Sequence, residues 1–335
     1  MNQSRVVVSF VLVVALIGVV AFGNDFYRFM QEPLALPEEG VMYVLHPGTS
    51  VIGLADELAR AGYLHRPNYL PLLAKFYGIT RTLKAGEYKI PRGTTPISLL
   101  TLFVEGKGVQ RTFAVIEGWT IYEVLDAINA NEELVHTLKG TTPDNIMPRL
   151  GYPNQFPEGL FYPDSYHFSR GTTDVAVLKR AYLRLQHVLQ EQWAKRSTGL
   201  PLESPYEALV LASIVEKETA SVEERPLIAG VFIRRLTQGM KLQTDATVIY
   251  GMGDTFKGNI SRSDLIKDTP YNTYVHTGLP PTPICMPSAG SINAALHPSK
   301  GKALYFVGKG DGSHYFSATL EEHNIAVRRF IKKNR

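Results

Sequence analysis

Residues 204–219 read S-P-Y-E-A-L-V-L-A-S-I-V-E-K-E-T, which predicts a helix at the centre of a folded domain. Ser204 can cap the first free backbone N–H groups, and Pro205 suits the first helical position. Glu207 completes a capping box three residues after the cap. The middle of the stretch, A-L-V-L-A-S-I-V, is too apolar for a surface helix, so we expect this helix to be buried.

The end of this helix carries two glutamates whose predicted surroundings differ. At 3.6 residues per turn, Ser213, Glu216 and Lys217 fall on one narrow polar side, which predicts that Glu216 is solvated. Glu218 falls on the opposite side, among apolar residues. A carboxyl group in such surroundings is difficult to ionise, so its pKa should rise toward the range in which it can donate a proton near neutral pH. Glu218 therefore has the profile of a general acid.

An alternative interpretation of Glu218 is structural. Carboxylates near helix ends also form ion pairs, and Arg225 or Arg234 could supply the partner. The helix by itself favours neither interpretation.

Composition and charge exclude several classes of function. The chain has 335 residues, enough for two or three domains, and its formal charge of +4 is spread along the sequence, so nucleic-acid binding is not expected. A single cysteine, Cys285, excludes an internal disulfide and a cysteine-based zinc site. Nine scattered histidines show no metal-ligand spacing, so we expect no metal or other cofactor. No H-E-x-x-H, G-x-S-x-G or dinucleotide-binding motif occurs, which leaves carboxylate chemistry.

The amino terminus predicts a membrane anchor. Residues 6–23 contain no charge and are just long enough to span a bilayer as a transmembrane helix. Because Arg5 precedes them, the positive-inside rule places residues 1–5 in the cytoplasm as a tail and the bulk of the chain outside. A removed signal peptide is the alternative. Residues 24–40, which contain two prolines, are predicted to form a linker.

Three segments share one pattern of a short β-like run, a glycine turn, a Ser or Thr cap and an amphipathic helix. The first two copies, within residues 41–107, predict a small α+β module that resembles the LysM-like modules of cell-wall proteins. Such modules often bind N-acetylglucosamine polymers, although a spacer that only positions the next domain fits equally well. The third copy opens a larger domain, predicted for residues 108–335. The three segments begin H-P-G-T-S at 46, P-R-G-T-T at 91 and E-G-W-T at 117.

A stretch rich in aromatic residues is the first candidate for sugar binding. Residues 157–168, P-E-G-L-F-Y-P-D-S-Y-H-F, combine aromatic rings with carboxylates such as Glu158. Sugar rings stack on aromatic faces and their hydroxyls pair with carboxylates, so the stretch suits a saccharide groove. The alternative is a buried aromatic turn that holds two elements together.

Polar residues ahead of an apolar run, and on a later loop, are the other candidate binding groups. Asp245 suits a helix cap, whereas Gln243 does not and is the better candidate for a substrate contact. The later loop is stiffened by prolines, so little ordering entropy would be lost when it binds a ligand. Its polar and aromatic residues are predicted to be exposed, and they are Tyr271, Asn272, Thr273 and Tyr274.

Four ordered motifs resemble those of one enzyme family. They are A-S-I-V-E-K-E-T at 212–219, L-Q-T-D-A-T-V-I-Y-G-M-G at 242–253, Y-N-T-Y at 271–274 and G-L-P-P at 278–281. In this order they resemble the endolytic murein transglycosylases, the YceG-like family, and the resemblance extends over nearly the whole chain. Three positions depart from the pattern in ways that affect local turns: Ala246 and Thr282 stand where Pro and Gly are expected, and Ser165 stands where Thr is usual.

The resemblance implies cleavage of the β-1,4 bond between N-acetylmuramic acid and N-acetylglucosamine within peptidoglycan strands, at the outer face of the inner membrane. The family's catalytic acid is the second glutamate of E-K-E-T, which is Glu218 here. It would protonate the glycosidic oxygen and then act as base on the muramic C6 hydroxyl, which closes a 1,6-anhydro ring. The residues that would bind the sugars are Gln243, Asp245, Tyr271, Asn272, Thr273, Tyr274 and Glu158.

The predicted fold class is α+β. It comprises an N-terminal transmembrane helix, a small LysM-like module and a larger mixed α/β catalytic domain whose active-site region is mainly helical. Residues 303–317 predict a hairpin, which a basic terminal helix follows. The implied partners are peptidoglycan glycan strands, the inner membrane and peptidoglycan synthases. Two other functions stay open: a lysozyme-like hydrolase that uses Glu218 with Asp245, and a non-catalytic peptidoglycan-binding scaffold.

Overall fold

The computed structural model describes residues 3–79 and 83–330, and it describes side chains from residue 7 onward. The chain divides into two compact units, Met1–Arg111 and Thr112–Arg335. The elements of the first unit are α1 Gln3–Gln31, β1 Val41–Leu45, α2 Val51–Arg60, α3 Tyr69–Phe76, β2 Gly86–Ile90 and α4 Pro96–Glu105.

Helix α1 is longer than the predicted membrane span. Its part Val7–Gln31 is long and apolar enough to cross a membrane. The linker predicted for residues 24–40 is wrong in its first part, because the helix continues to Gln31 without a break. Phe29 and Leu34 from this segment are 3% and 5% exposed and belong to the core of the first unit. Of the predicted cytoplasmic tail, residues 1–2 and all side chains lie outside the part of the chain that the structure describes.

The pattern of strand, glycine turn and capped helix is confirmed in all three predicted copies. Ser50, Thr95 and Thr120 each accept a hydrogen bond from a backbone N–H in the first turn of the helix that follows. Gly48 shows why a glycine is needed in such a turn, since its φ of +82° is unfavourable for other residues. Strands β1 and β2 pair antiparallel, which closes the small unit as a mixed α+β module. Its likeness to a LysM module stays a prediction.

As far as Phe330, the second unit is built mainly from helices, with two two-stranded sheets. Strand β3 pairs with β4, and β5 pairs antiparallel with β6, which confirms the predicted terminal hairpin. The predicted terminal helix is confirmed as far as Phe330, and the basic segment 331–335 lies outside the described residues. The elements are β3 Arg111–Val115, α5 Ile121–Ala130, α6 Ile146–Leu150, β4 Asp164–Phe168, α7 Asp174–Ala194, α8 Pro205–Glu218, α9 Arg225–Thr237, α10 Asp245–Met252, α11 Arg262–Ile266, α12 Ala289–Leu296, β5 Tyr305–Gly308, β6 His314–Ser317 and α13 Leu320–Phe330.

Helix α8 is the centre of the second unit, as predicted. Every residue from 208 to 215 is buried, and α7, α9, α10 and α12 pack around the helix. Each large aliphatic side chain that is fully buried, such as Leu209 or Ile214, contributes about 1.5–3 kcal/mol to the stability of the folded state. Ser204 caps the helix by accepting from the N–H of Glu207 at 3.2 Å. The predicted capping box does not close, because the Glu207 carboxylate accepts from the N–H of Glu203 instead of that of Ser204.

Candidate active site

Glu218 is the last residue of α8, and it borders a cleft of about 330 Å³. The rigid, buried body of the helix holds it at this edge, and the next residue leaves the helix in an extended conformation. We call this space the Gln243 cleft. Besides Glu218 it is lined by Arg235, Leu242, Gln243, Thr244, Asp245, Tyr274, Tyr305, Phe306, Leu320 and His323.

The carboxyl group of Glu218 is held by a neutral partner. The hydroxyl of Thr244 donates a hydrogen bond to its Oε1. Burial raises the pKa of Glu218 above its ordinary value. The hydrogen bond from Thr244 opposes this rise, the charge of Asp245 adds to it and that of His314 opposes it. The raised pKa agrees with the prediction made from the helical face.

The structural interpretation of Glu218 is wrong. Among the described residues, no Lys or Arg forms an ion pair with this carboxylate. Arg234 instead donates to the backbone carbonyls of Ala303 at 2.6 Å and Ser299 at 3.0 Å. Arg225 pairs with a different glutamate of the same helix, Glu216.

The prediction that Glu216 is solvated is also wrong. Its side chain is 6% exposed and lies 3.3 Å from the guanidinium of Arg225. Its other oxygen accepts from the backbone N–H of Ser288 at 2.9 Å and from the hydroxyl of the same residue. Arg225 begins α9 and Ser288 caps α12, so these two helices cover Glu216, whereas Lys217 on the same side of α8 is exposed.

Gln243 occupies the cleft in an unusual backbone conformation. Its φ is +53°, the one positive value for a non-glycine residue in the described chain. Its N–H donates to the carbonyl of Thr273 at 3.1 Å, and its side-chain Oε1 accepts from Arg235 at 3.2 Å. Strained conformations of this kind are concentrated at functional sites, because the surrounding structure must hold them in place.

Asp245 lies beside Gln243 but does not cap a helix. Thr244 is the N-cap of α10, and Asp245 is the first helical residue. The carboxylate of Asp245 accepts from the hydroxyl of Tyr274 at 2.6 Å. Burial, with the added effect of Asp245, raises the pKa of the Tyr274 hydroxyl. Gln243, Asp245 and Tyr274 therefore line one cleft with Glu218, and their role in substrate binding stays a prediction.

The prediction that residues 271–274 are all exposed is wrong. Asn272 and Thr273 are 1% and 2% exposed, and Tyr271 and Tyr274 are half-buried. The amide of Asn272 donates to three backbone carbonyls of the preceding segment, and Thr273 accepts from the N–H of Thr244 at 3.1 Å. Tyr271 packs edge-on against another tyrosine ring, and its hydroxyl bonds Thr282. Asn272 thus fixes the loop, and Thr273 fixes the backbone of Thr244, whose hydroxyl donates to Glu218.

Glu158 lies in the core and does not face a groove. It is fully buried, and its carboxylate accepts from the N–H of Ile121 at 3.1 Å and from the hydroxyl of Tyr250 at 3.0 Å. Burial raises its pKa to about 7. The aromatic residues Phe161 and Phe168 of the same stretch are also buried. The prediction of a saccharide groove at residues 157–168 is therefore wrong for these side chains, and the buried turn is confirmed.

Comparison with known proteins identifies the family of this chain. The model of the YceG-like family matches residues 43–329. The chain belongs to the YceG-like family. A Bacillus subtilis protein named endolytic murein transglycosylase is 33% identical over 264 residues, which cover 77% of this chain and 73% of that relative.

Two further relatives support the assignment. A protein of the same name from Streptococcus pneumoniae strain D39 is 26% identical over 366 residues, which cover 97% of this chain and 65% of that relative, so the chain spans about two thirds of its length. The crystal structure of a YceG-like protein from Listeria monocytogenes superposes with a TM-score of 0.56 at 28% identity, and the match covers 87% of this chain and 100% of that one.

Sequence reasoning missed Arg235 of this YceG-like chain. Arg235 is 6% exposed and lies against the Gln243 cleft, where its guanidinium donates to the carbonyls of Leu304 and Leu242 and stacks on Tyr305. It therefore joins α9 to the hairpin and to Gln243. The only sequence signal for it is an arginine among the apolar residues of a core helix.

Glu218 of this YceG-like chain also borders a second cleft, of about 680 Å³. We call this space the Trp119 cleft. Within the described residues, Glu218 alone lines both clefts. In the same part of the chain, no three His, Cys, Asp or Glu side chains form a cluster that could hold a metal ion. The lining of the Trp119 cleft is Ile116, Glu117, Gly118, Trp119, Glu123, Glu216, Lys217, Glu218, Thr219, Ala220 and Arg225.

Proposed function

We propose that this protein is an endolytic lytic transglycosylase, a lyase that cuts the β-1,4 bond between N-acetylmuramic acid and N-acetylglucosamine within peptidoglycan strands. The observation that carries the proposal is the carboxyl group of Glu218. It borders a cleft, has a raised pKa and accepts from a neutral hydroxyl rather than from a cation. A carboxyl group of this kind can still be protonated when substrate binds, which a general acid requires.

The chemistry needs one protein carboxyl group. Glu218 donates its proton to the glycosidic oxygen while the bond from that oxygen to the muramic C1 breaks. The muramic C6 hydroxyl then bonds to C1, and its proton passes to the Glu218 carboxylate. The products are a 1,6-anhydro end and a free C4 hydroxyl, no water is consumed and the acid is regenerated.

The other residues of the Gln243 cleft position the sugars in this proposal. Gln243 and the pair of Asp245 and Tyr274 offer polar groups to the acetamido substituents and to the developing positive charge. Tyr271 supports this wall of the site through its packing. Asn272 and Thr273 act through the loop they fix, since both are buried.

The cellular setting forms part of the proposal. The apolar part of α1 would anchor the chain in the inner membrane, with residues 1–5 in the cytoplasm and the second unit in the periplasm. The LysM-like module of residues 41–107 would bind glycan or position the catalytic unit. An enzyme held at the membrane meets nascent strands first, so its cuts would terminate glycan elongation beside the peptidoglycan synthases.

The test compares wild type with Glu218→Gln as full-length proteins in detergent, incubated with purified peptidoglycan. Mass spectrometry of the products should show 1,6-anhydro ends for wild type, and the variant should lose activity by about 10³-fold, the usual contribution of a general acid. Glu203→Gln, an exposed change just before α8, serves as the matched control and should stay active.

Other products would contradict the proposal. Reducing ends would indicate a lysozyme-like hydrolase, for which Asp245 in the same cleft is the available second carboxylate. An absence of products from folded wild-type protein would indicate a non-catalytic scaffold.

A further inference from the structure

The Trp119 cleft and the Gln243 cleft meet at Glu218 and have otherwise different linings. An enzyme that cuts inside a strand must hold sugars on both sides of the bond it breaks. With the acid between them, two clefts provide two such places. Both volumes fall in the range of about 300–1,000 Å³ that is usual for ligand sites.

The loop that presents Trp119 is fixed before any ligand binds. The N–H of Gly118 donates to the carbonyl of Met286 at 2.8 Å, and the N–H of Met286 donates back to the carbonyl of Trp119 at 2.7 Å. Met286 is itself fully buried, so this pair of bonds ties the loop to the core. Lys217, the residue before the acid, adds a bond from its ammonium group to the carbonyl of Gly118 at 3.3 Å. A surface held in this way loses little entropy when it binds.

The chemistry of the lining matches that of a sugar ring. Trp119 lines the cleft and is half-buried, with part of its side chain packed against the hydrophobic core. Lys217 and Glu117 are exposed around it, so groups of both charge signs are available to hydroxyl and amide substituents. Glu216 and Arg225 are already paired with each other, so they form a neutral wall. An apolar platform with a polar rim suits a saccharide better than it suits a purely apolar ligand.

We propose that the Trp119 cleft binds the part of the glycan strand that lies across the scissile bond from the sugars in the Gln243 cleft, with an N-acetyl sugar stacked on Trp119. This inference rests on the proposed function. It assigns a specificity role to a residue about a hundred positions before the acid, and it explains why the acid borders two clefts.

The chain offers a direct spectroscopic test, because it contains two tryptophans, Trp119 and Trp193. In a full-length Trp193→Phe, Glu218→Gln variant, emission comes from Trp119 alone and the strand is cut about 10³-fold more slowly. The probe is glycan strands freed of their peptides by an amidase. We expect a saturable change in Trp119 emission as the strands are added, with no change in a matched Trp119→Phe, Glu218→Gln variant that retains Trp193.

Both tryptophans belong to the second unit, so glycan held only by the first unit should leave Trp119 emission unchanged. The proposal is overturned if Trp119 emission stays constant at strand concentrations that saturate cleavage by the wild-type protein.

Kinetics supply a second test in the active protein. Trp119→Ala should raise KM for glycan strands roughly 10-fold, the effect expected when a large apolar contact is removed, while kcat changes little. Trp119→Phe should restore most of the loss, because a phenyl ring keeps a stacking face. An unchanged KM in a folded Trp119→Ala protein would overturn the proposal. A failure of the proposed function would appear differently, as wild-type protein that forms no anhydro ends.

Discussion

Thr244 shows how a single hydroxyl can adjust the acid. As the N-cap of α10 it would be expected to accept from that helix, yet its side chain makes no capping bond and donates to Glu218 instead. A bond donated to a carboxylate favours the ionised form, so it lowers a pKa that burial raises. The hydrogen bond therefore holds the Glu218 carboxyl group in place and limits the rise of its pKa, so that the group can still lose its proton.

This balance predicts the pH dependence of activity. The first step requires protonated Glu218, so activity is present below the pKa of the folded enzyme and is lost as pH rises through it, above the ordinary value of 4.5. Thr244→Val removes the bond that favours the carboxylate, so the basic limb of the kcat/KM profile should move to higher pH.

The matched control for this change is Thr255→Val, which removes an exposed hydroxyl that donates to the Met252 carbonyl. Its profile should coincide with that of wild type. A Thr244→Val profile with an unmoved or lowered basic limb would contradict the role of this hydrogen bond.

At the scale of elements, a buried ionic network joins three helices next to the acid. Glu216 of α8 pairs with Arg225 of α9 and accepts from Ser288, whose hydroxyl also accepts from the N–H of Ser291 at the start of α12. The Glu216 and Arg225 side chains are 6% and 11% exposed. The network sets the position of the last turn of α8, and Glu218 follows two residues later.

Removal of one member should therefore destabilise the second unit. Glu216→Ala leaves the Arg225 charge buried without its partner, which should lower the free energy of unfolding by about 3 kcal/mol. Denaturant unfolding followed by tryptophan fluorescence reports on this unit, because it contains both tryptophans.

An exposed pair provides the comparison. Glu191 of α7 and Lys195, the residue that follows α7, lie 2.9 Å apart, but they are 55% and 68% exposed, so Glu191→Ala should change stability by about 0.5 kcal/mol or less. Equal effects of Glu216→Ala and Glu191→Ala would show that the buried network does not stabilise the helices.

At the scale of the whole molecule, the apolar helix α1 and the rest of the first unit form one folded body. After the uncharged residues 6–23, α1 places Asp25 at 3.0 Å from Arg66 and within hydrogen-bond distance of Tyr69. The rings of Phe22, Phe26 and Phe29 all contact the same tyrosine ring. The helix that would cross the membrane therefore continues directly into the core of the first unit.

This continuity predicts where the chain can be shortened. A protein that begins at Asn24 keeps Phe29 and Leu34, whereas one that begins at Met42 loses both core side chains. The shorter protein should have a first unit that is less stable by about 4 kcal/mol or more. Hydrogen exchange of the β1 and β2 amides measures this, and equal protection in the two proteins would show that residues 24–40 act as a linker after all.

The sequence alone was sufficient for the local elements. The three capped helices with their glycine turns, helix α8, the apolar N-terminal helix and the terminal hairpin all depend on signals within a few residues: a capping hydroxyl, a glycine with positive φ, or a hydrophobic period. The burial of α8 followed from its composition, and the raised pKa of Glu218 followed from the face on which it lies.

Only the tertiary structure decided which polar groups are covered, and by what. Periodicity places Glu216 on a polar face but says nothing about Arg225 and Ser288, which arrive from two other helices and bury it. Glu158 and Asn272 likewise form hydrogen bonds with backbone groups of other segments. The residues next to them in the sequence do not indicate these partners. The hydroxyl that holds Glu218 lies on a segment 26 residues further along the chain. A local pattern determines the direction in which a side chain points, whereas its partners depend on how distant segments pack.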